Sequence, residues 1–229
     1  MGQMAGRRVF LDVGGHRGES LSVAMQPRWG FEQIWTFEPT ARCVAELEAM
    51  SDRRVTVIAA GWWSSDTEMD VHDPGTLHAS VLAEASQLGH VERCRFVDAG
   101  AWMADNISER DTVWLKLNVE ASEVEVLARL LETGEIDKVD HLVVHFDVDR
   151  LGRASDAVPV RRRLGEVDIE WREAKDVMFG RTDQQKVATW LAWTEGRRVE
   201  FVRHKWEHQL RRRVWRARRR LGRGIATVT

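Results

Sequence analysis

The sequence predicts a doubly wound α/β fold, in which helices cover both faces of a mostly parallel sheet, and three observations predict it. Val9-Phe10-Leu11-Asp12-Val13 is an apolar run that bends through Gly14-Gly15-His16-Arg17-Gly18 into a helix-starting stretch, Glu19 to Ala24: strand, tight glycine loop, helix. Ile34-Trp35-Thr36-Phe37 reads as a second buried strand that ends in Glu38 and is stopped by Pro39. Glu38 stands 20 residues beyond Gly18, the spacing at which such folds place a carboxylate for ribose hydroxyls. Strand and helix patterns then alternate along the chain, the order that builds parallel sheets.

Element by element, the segment Ala41 to Met50 puts Cys43, Val44, Leu47 and Met50 on one helical face. Val55-Thr56-Val57-Ile58-Ala59-Ala60 is β-branched and apolar, a fully buried third strand. From Gly61 to Val97 the pattern changes to short alternating runs, Glu68 to His72 and Val91 to Val97, with a turn at Pro74-Gly75, and predicts a hairpin-rich insertion. Trp62-Trp63 either line a pocket there or fill the core. Val113 to Val119 is the fourth core strand. It leads into a helix carrying Val124, Val126, Leu127, Leu130 and Leu131, which Gly134 ends. Val139 to Asp147 gives the fifth strand, Val160 to Leu164 a helix, and two strand-like runs, 169–179 and 188–194, close the sheet.

At 229 residues and 43% hydrophobic, the chain can bury one good core but is short for two. Its organisation reads as one domain over residues 1–196, with 61–97 inserted, and a tail over 197–229. The net charge of −2 hides an asymmetry, since the tail holds 12 Lys+Arg against 2 acidic residues and the body compensates at −12. Two cysteines, Cys43 and Cys94, argue against a disulfide framework and fit a reducing cytoplasm. No residues have metal-ligand spacing, and no apolar run approaches the length that crosses a bilayer. The expectation is a cytoplasmic protein, at most peripheral at a membrane surface.

In the tail, Trp206, Leu210, Val214, Ala217 and Leu221 recur at steps of 4, 4, 3 and 4 between arginines, the pattern of a basic amphipathic helix. Packing on the acidic body, lying on an anionic membrane and gripping nucleic acid are the three readings open to it. Nothing outside the tail has the look of a nucleic-acid module.

Asp12-Val13-Gly14-Gly15-His16-Arg17-Gly18, Phe37-Glu38-Pro39, Ala59-Ala60 and Leu115-Lys116-Leu117-Asn118-Val119-Glu120-Ala121-Ser122-Glu123 together resemble the ordered motifs of FkbM-type methyltransferases. The resemblance spans residues 9–147 and implies a class I, Rossmann-like sheet with an antiparallel last strand. It also implies S-adenosylmethionine as cofactor and a hydroxyl acceptor on a sugar, glycolipid or polyketide-type natural product. It places Asp12, Gly14, Gly15 and Gly18 at the methionine moiety and loop backbone, Glu38 at the ribose, and Ala60 and Gly61 near adenine. Three residues depart from the pattern: Asn118 stands for an aspartate, Ala121 for a glycine and His145 for a glutamate.

A hydroxyl acceptor must lose a proton, and Glu120, His145 and Asn118 are the candidate residues of the acceptor side, with Asp98, His16 and His78 behind them. Glu120 comes first because it follows a buried strand end, where open α/β sheets place their ligands. Glu123 reads as a first-turn helix carboxylate. The departures leave a second reading, a catalytically lapsed binding protein of the same fold. A third, a nucleic-acid methyltransferase led by the tail, lacks any tetrapeptide of the Asn-Pro-Pro-Tyr type. The resemblance thus implies a small-molecule, glycan or lipid-linked acceptor.

Overall fold

Val9 to Val13, buried on both faces, can only be a central strand, and the chain is laid out around it. The computed structural model describes residues 6–50, 52–76, 79–83, 86 and 88–197. They fall into two compact units that divide between Asp176 and Val177. In the first, β1 (Arg8–Val13), α1 (Glu19–Ala24), β2 (Gln33–Phe37), α2 (Ala41–Glu48) and β3 (Val55–Ile58) wind outward to one edge of the main sheet. Next come β4 (Gly61–Trp63), β5 (Thr67–His72), β6 (Val91–Asp98) and α3 (Ala99–Asn106). The chain then returns beside β1 as β7 (Thr112–Leu117) and continues with α4 (Glu123–Thr133), β8 (His141–Val144), α5 (Val158–Leu164), β9 (Glu170–Glu173) and α6 (Ala174–Val177).

The six main strands lie in the order β3-β2-β1-β7-β8-β9, and every pair among them is parallel. The fold is doubly wound and Rossmann-like. Strand order reverses between β1 and β7, where Asp12 pairs with Lys116 and Val13 with Leu117. β4, β6 and β5 form a second, three-stranded sheet, with β4 parallel and β5 antiparallel to β6. Residues 61–98 are thus one small sheet whose 73–90 connection is long.

Phe37, Trp62 and Trp102 knit the two sheets together: Phe37 lies edge-on to Trp102 at 4.8 Å and to Trp62 at 5.1 Å. Trp62 is fully buried, whereas Trp63 is half-buried and packs against Phe96 at 6.3 Å. Cys43 on α2 and Cys94 on β6 are both buried thiols. For Cys94, burial pushes the pKa up to about 12, which leaves it inert as a nucleophile.

Two expectations about the end of the sheet are corrected. Among the described residues the sheet has no antiparallel last strand, because β9 pairs in parallel register with β8, Leu142 opposite Trp171. The run 188–194 is helical, part of α7 (Asp183–Thr194) in the second unit. The Thr182 side chain caps it by accepting from the Gln185 N–H, and Thr189 Oγ1 donates back to the Gln185 carbonyl at 2.8 Å. A short apolar run does not by itself separate a strand from a helix; the cap upstream does. Residues 203–221, with their amphipathic pattern, lie outside the described residues.

Candidate functional site

The glycine loop sits where the sheet order reverses. Gly14 and Gly15 both donate to the Phe37 carbonyl, at 3.0 and 2.9 Å, which hangs the loop on the tip of β2. Gly14 has φ 86, and a Cβ on it would lie 1.8 Å from the Asn118 carbonyl oxygen at the tip of β7. Only glycine fits between the two strands. Gly15 and Gly18 face inward instead: a Cβ would meet Thr36 Oγ1 at 2.2 Å and Met50 Sδ at 2.3 Å respectively.

Beneath the loop lies a buried ion pair. Lys116 Nζ donates to Asp12 Oδ1 at 2.8 Å and to the Gly14 carbonyl at 2.7 Å, with Lys116 5% and Asp12 0% exposed. Burial raises the Asp12 pKa, and the Lys116 charge and hydrogen bond pull it back. Asp12 therefore faces Lys116 from under the floor and does not line the cleft above. Reading the residues singly missed Lys116 as a partner, although one charge inside an otherwise apolar strand was its signal.

Glu38, at the tip of β2, is 7% exposed and holds the loop from the other side. Its carboxylate accepts from the His16 N–H at 3.0 Å, the Thr40 N–H at 3.0 Å and Thr40 Oγ1 at 2.6 Å. Burial raises its pKa against the pull of those bonds. Three donors fill about three of a carboxylate's four lone-pair positions, so about one stays open toward the cleft.

The cleft opens along the C-terminal edge of the sheet, at the switch point where open α/β folds bind ligands. Its space is about 700 Å³, part of it open solvent. Gly14, Glu38, Asn118 and Glu120 form the floor; Gly61, Val71 and Phe96 form the wall on the second sheet; and Thr76, Ala79 and Val81 come from the 73–90 connection. Trp62 also reaches the lining. A Cβ on Gly61 would strike the Phe96 ring at 2.4 Å, whereas Ala60 is buried in the core beside it and is not part of the lining. Half-buried His145 donates its N–H to the Leu117 carbonyl at 3.0 Å and is likewise outside the lining. Asp98 caps α3 and pairs with Arg129, which holds its pKa down. His78 lies outside the described residues.

Glu120 enters the cleft from a strained turn. Glu120 has φ 42 and Ala121 φ 77, left-handed values that cost a non-glycine residue about 1–2 kcal/mol each. Ala121 stands where the resembled motif has glycine, the residue that takes this conformation freely. Three contacts hold the turn: Ser80 Oγ donates to the Glu120 carbonyl at 2.7 Å, Arg150 Nη2 to Glu120 Oε2 at 2.7 Å, and the Ala121 N–H to Glu123 Oε1 at 3.0 Å. Arg150 also pairs with Asp147 at 2.8 Å. Burial first, then the neighbouring Asp147 carboxylate, push Glu120 up to about 7, with Arg150 opposing. The same two causes push Glu123 up to about 8, against the Ala121 N–H. Glu123 is 0% exposed, so it is a buried acid more than a solvated first-turn carboxylate. Ser80, Asp147 and Arg150 had no signal in the sequence, since nothing local ties them to Glu120.

No protein-family model and no curated protein matches the chain. Among solved structures, the crystal structure of methyltransferase FkbM from Methylobacillus flagellatus KT is similar at a TM-score of 0.42 and 16% identity. The similarity covers 71% of this chain, which spans 40% of that one. Among the described residues, no helix is long and apolar enough to cross a membrane, and no group of three or more His, Cys, Asp or Glu residues could hold a metal ion.

Proposed function

We propose that this protein binds S-adenosylmethionine in the switch-point cleft and methylates a hydroxyl oxygen on a small molecule, glycan or lipid-linked acceptor. The observation that carries the reading is Glu38, a buried carboxylate beside a glycine loop that lines the switch-point cleft and has about one of its four lone-pair positions unfilled. One ribose hydroxyl can donate there, while Gly14 keeps the loop backbone close to the ligand. The cofactor supplies an electrophilic methyl group on a sulfonium; the chain has to hold the acceptor oxygen in line and take its proton. Glu120 suits that second task. It lines the cleft, and with a pKa of about 7 it exists near neutrality both as base and as acid. With donor and acceptor bound, Glu120 Oε would take the proton of the acceptor hydroxyl and so free its oxygen for the methyl group. Asn118, a neutral amide in the floor where the resembled motif has a carboxylate, favours a second reading: a cofactor-binding protein without turnover.

Calorimetric titration with S-adenosylmethionine and its demethylated product tests the first part. Binding is expected, and Glu38→Ala is expected to weaken both by about 1.5–3 kcal/mol, the worth of hydrogen bonds to a charged group. No binding by the native protein refutes the whole reading, and unchanged affinity in the variant refutes the ribose role. For the second part, Glu120→Gln should lower turnover about 100-fold with cofactor affinity intact. Binding without methyl transfer to any hydroxyl acceptor in a labelled-donor assay would favour the second reading.

A further inference from the structure

Glu123 is a buried acid that accepts a hydrogen bond from a strained turn next to the cleft. Glu123 is the first residue of α4, is fully buried, and accepts from the Ala121 N–H through Oε1, while its Oε2 has no hydrogen-bond partner. Holding a charge there beside Asp147 would be costly, and a proton on Oε2 removes both the desolvation and the repulsion. What the side chain does for the fold is local. It supplies an acceptor for an N–H that the left-handed backbone of Glu120 and Ala121 turns away from α4.

We infer that Glu123 is a positioning residue: through the Ala121 N–H it holds the 119–122 turn in its left-handed form and so aims the Glu120 carboxylate into the cleft. The inference rests on the reading of Glu120 as the proton acceptor. Ser80 clamps the Glu120 carbonyl from the 73–90 connection, Arg150 the Glu120 carboxylate, and Glu123 the Ala121 N–H. Without Glu123, the Ala121 N–H loses this acceptor and φ 77 loses one of the contacts that hold it. The backbone can then relax toward negative φ, rotating the Glu120 peptide and swinging its side chain away. A neutral side chain of the same shape serves equally well, because the role is acceptance of a hydrogen bond, not charge.

The test compares Glu123→Gln, Glu123→Ala and Glu123→Ala with Ala121→Gly in the full chain, reading hydrogen exchange of the residue 121 amide and, separately, turnover and cofactor affinity. Glu123→Gln should keep the amide protected. Glu123→Ala should speed its exchange about tenfold or more and lower kcat by about the same factor with cofactor affinity unchanged. Adding Ala121→Gly should restore much of the turnover, because glycine holds φ 77 without help; a purely structural role for Glu123 predicts no such rescue. Equal loss in Glu123→Gln and Glu123→Ala overturns the inference in favour of a role for the charge. Unchanged exchange in Glu123→Ala, or no rescue by the glycine, overturns it too, as does failure of both alanine-bearing variants to fold. The exchange measurement needs no methyl transfer, so it stands even if cofactor titration refutes the proposed function.

Discussion

Replacing Lys116 by methionine keeps the length and apolar stem of the side chain and removes only its charge and its two hydrogen bonds. Asp12 is then left 0% exposed without its cation, with Ser20 as its remaining side-chain partner. A carboxylate in that position takes up a proton. Holding it neutral at pH 7, against an unfolded-state pKa near 3.9, costs about 1.36 kcal/mol per pH unit, or about 4 kcal/mol. This agrees with the roughly 3–5 kcal/mol measured when one member of a buried pair is removed. For a unit of this size, about 4 kcal/mol corresponds to a fall in Tm of roughly 8–16 °C. The raised folded-state pKa gives the pH dependence its sign: stability is fully present below the unfolded pKa and is lost as pH rises. The titration part of the deficit should therefore shrink to about 1.5 kcal/mol at pH 5, while the lost Gly14 hydrogen bond adds about 1 kcal/mol at either pH. Urea unfolding of both proteins at pH 5 and pH 7 measures it, and Asp12→Asn added to Lys116→Met should recover most of the difference at pH 7. A cost under about 1 kcal/mol at pH 7, or a deficit that ignores pH, would refute the pairing as the support of the loop.

Glu120 and Glu123, with pKa values pushed up to about 7 and about 8, contribute stability that is present below pH 4.5 and lost as pH rises through those values, so native stability should fall between pH 5 and pH 8.5. Glu123→Gln should flatten the upper part of that profile, and denaturant midpoints identical at both pH values in the native protein would contradict the burial argument. Gly14→Ala forces a Cβ to 1.8 Å from the Asn118 carbonyl at φ 86, and a loss of about 2–4 kcal/mol together with loss of cofactor binding is expected, read by thermal unfolding and titration. For the tail, deleting residues 203–229 should leave cofactor binding intact and abolish sedimentation with anionic vesicles at low salt, since basic residues near such a surface add about 1 kcal/mol each. A full-length protein that ignores those vesicles at low salt would refute the membrane reading of the tail.

Local chemistry made the centre of the molecule legible from sequence alone. An apolar run, a glycine bend and a helix start are neighbours in the chain, and Glu38 follows at a fixed distance because a strand, a helix and a turn consume a nearly constant number of residues. The fourth and fifth core strands were readable for the same reason, since a strand buried on both faces is apolar throughout; the third, expected to be fully buried, is instead half-buried with Thr56 exposed, because β3 ends the sheet order and has a neighbour on one side only. Tertiary structure decided everything that depends on partners far apart. Asp12 reads as a ligand group until strand pairing sets Lys116 opposite it, 104 residues later. Glu120 acquires its environment from Arg150 and Asp147 and its clamp from Ser80, 40 residues earlier. The direction of the last strand, the parallel pairing of β4 with β6, and the helix over 188–194 also lie beyond periodicity. Hydrogen bonding and capping settle them, and those cost or yield free energy only once the chain has folded. The same holds for the acids of the cleft. A carboxyl group's type is written in the sequence, but its protonation depends on how much water the fold takes away from it and which charges the fold brings near.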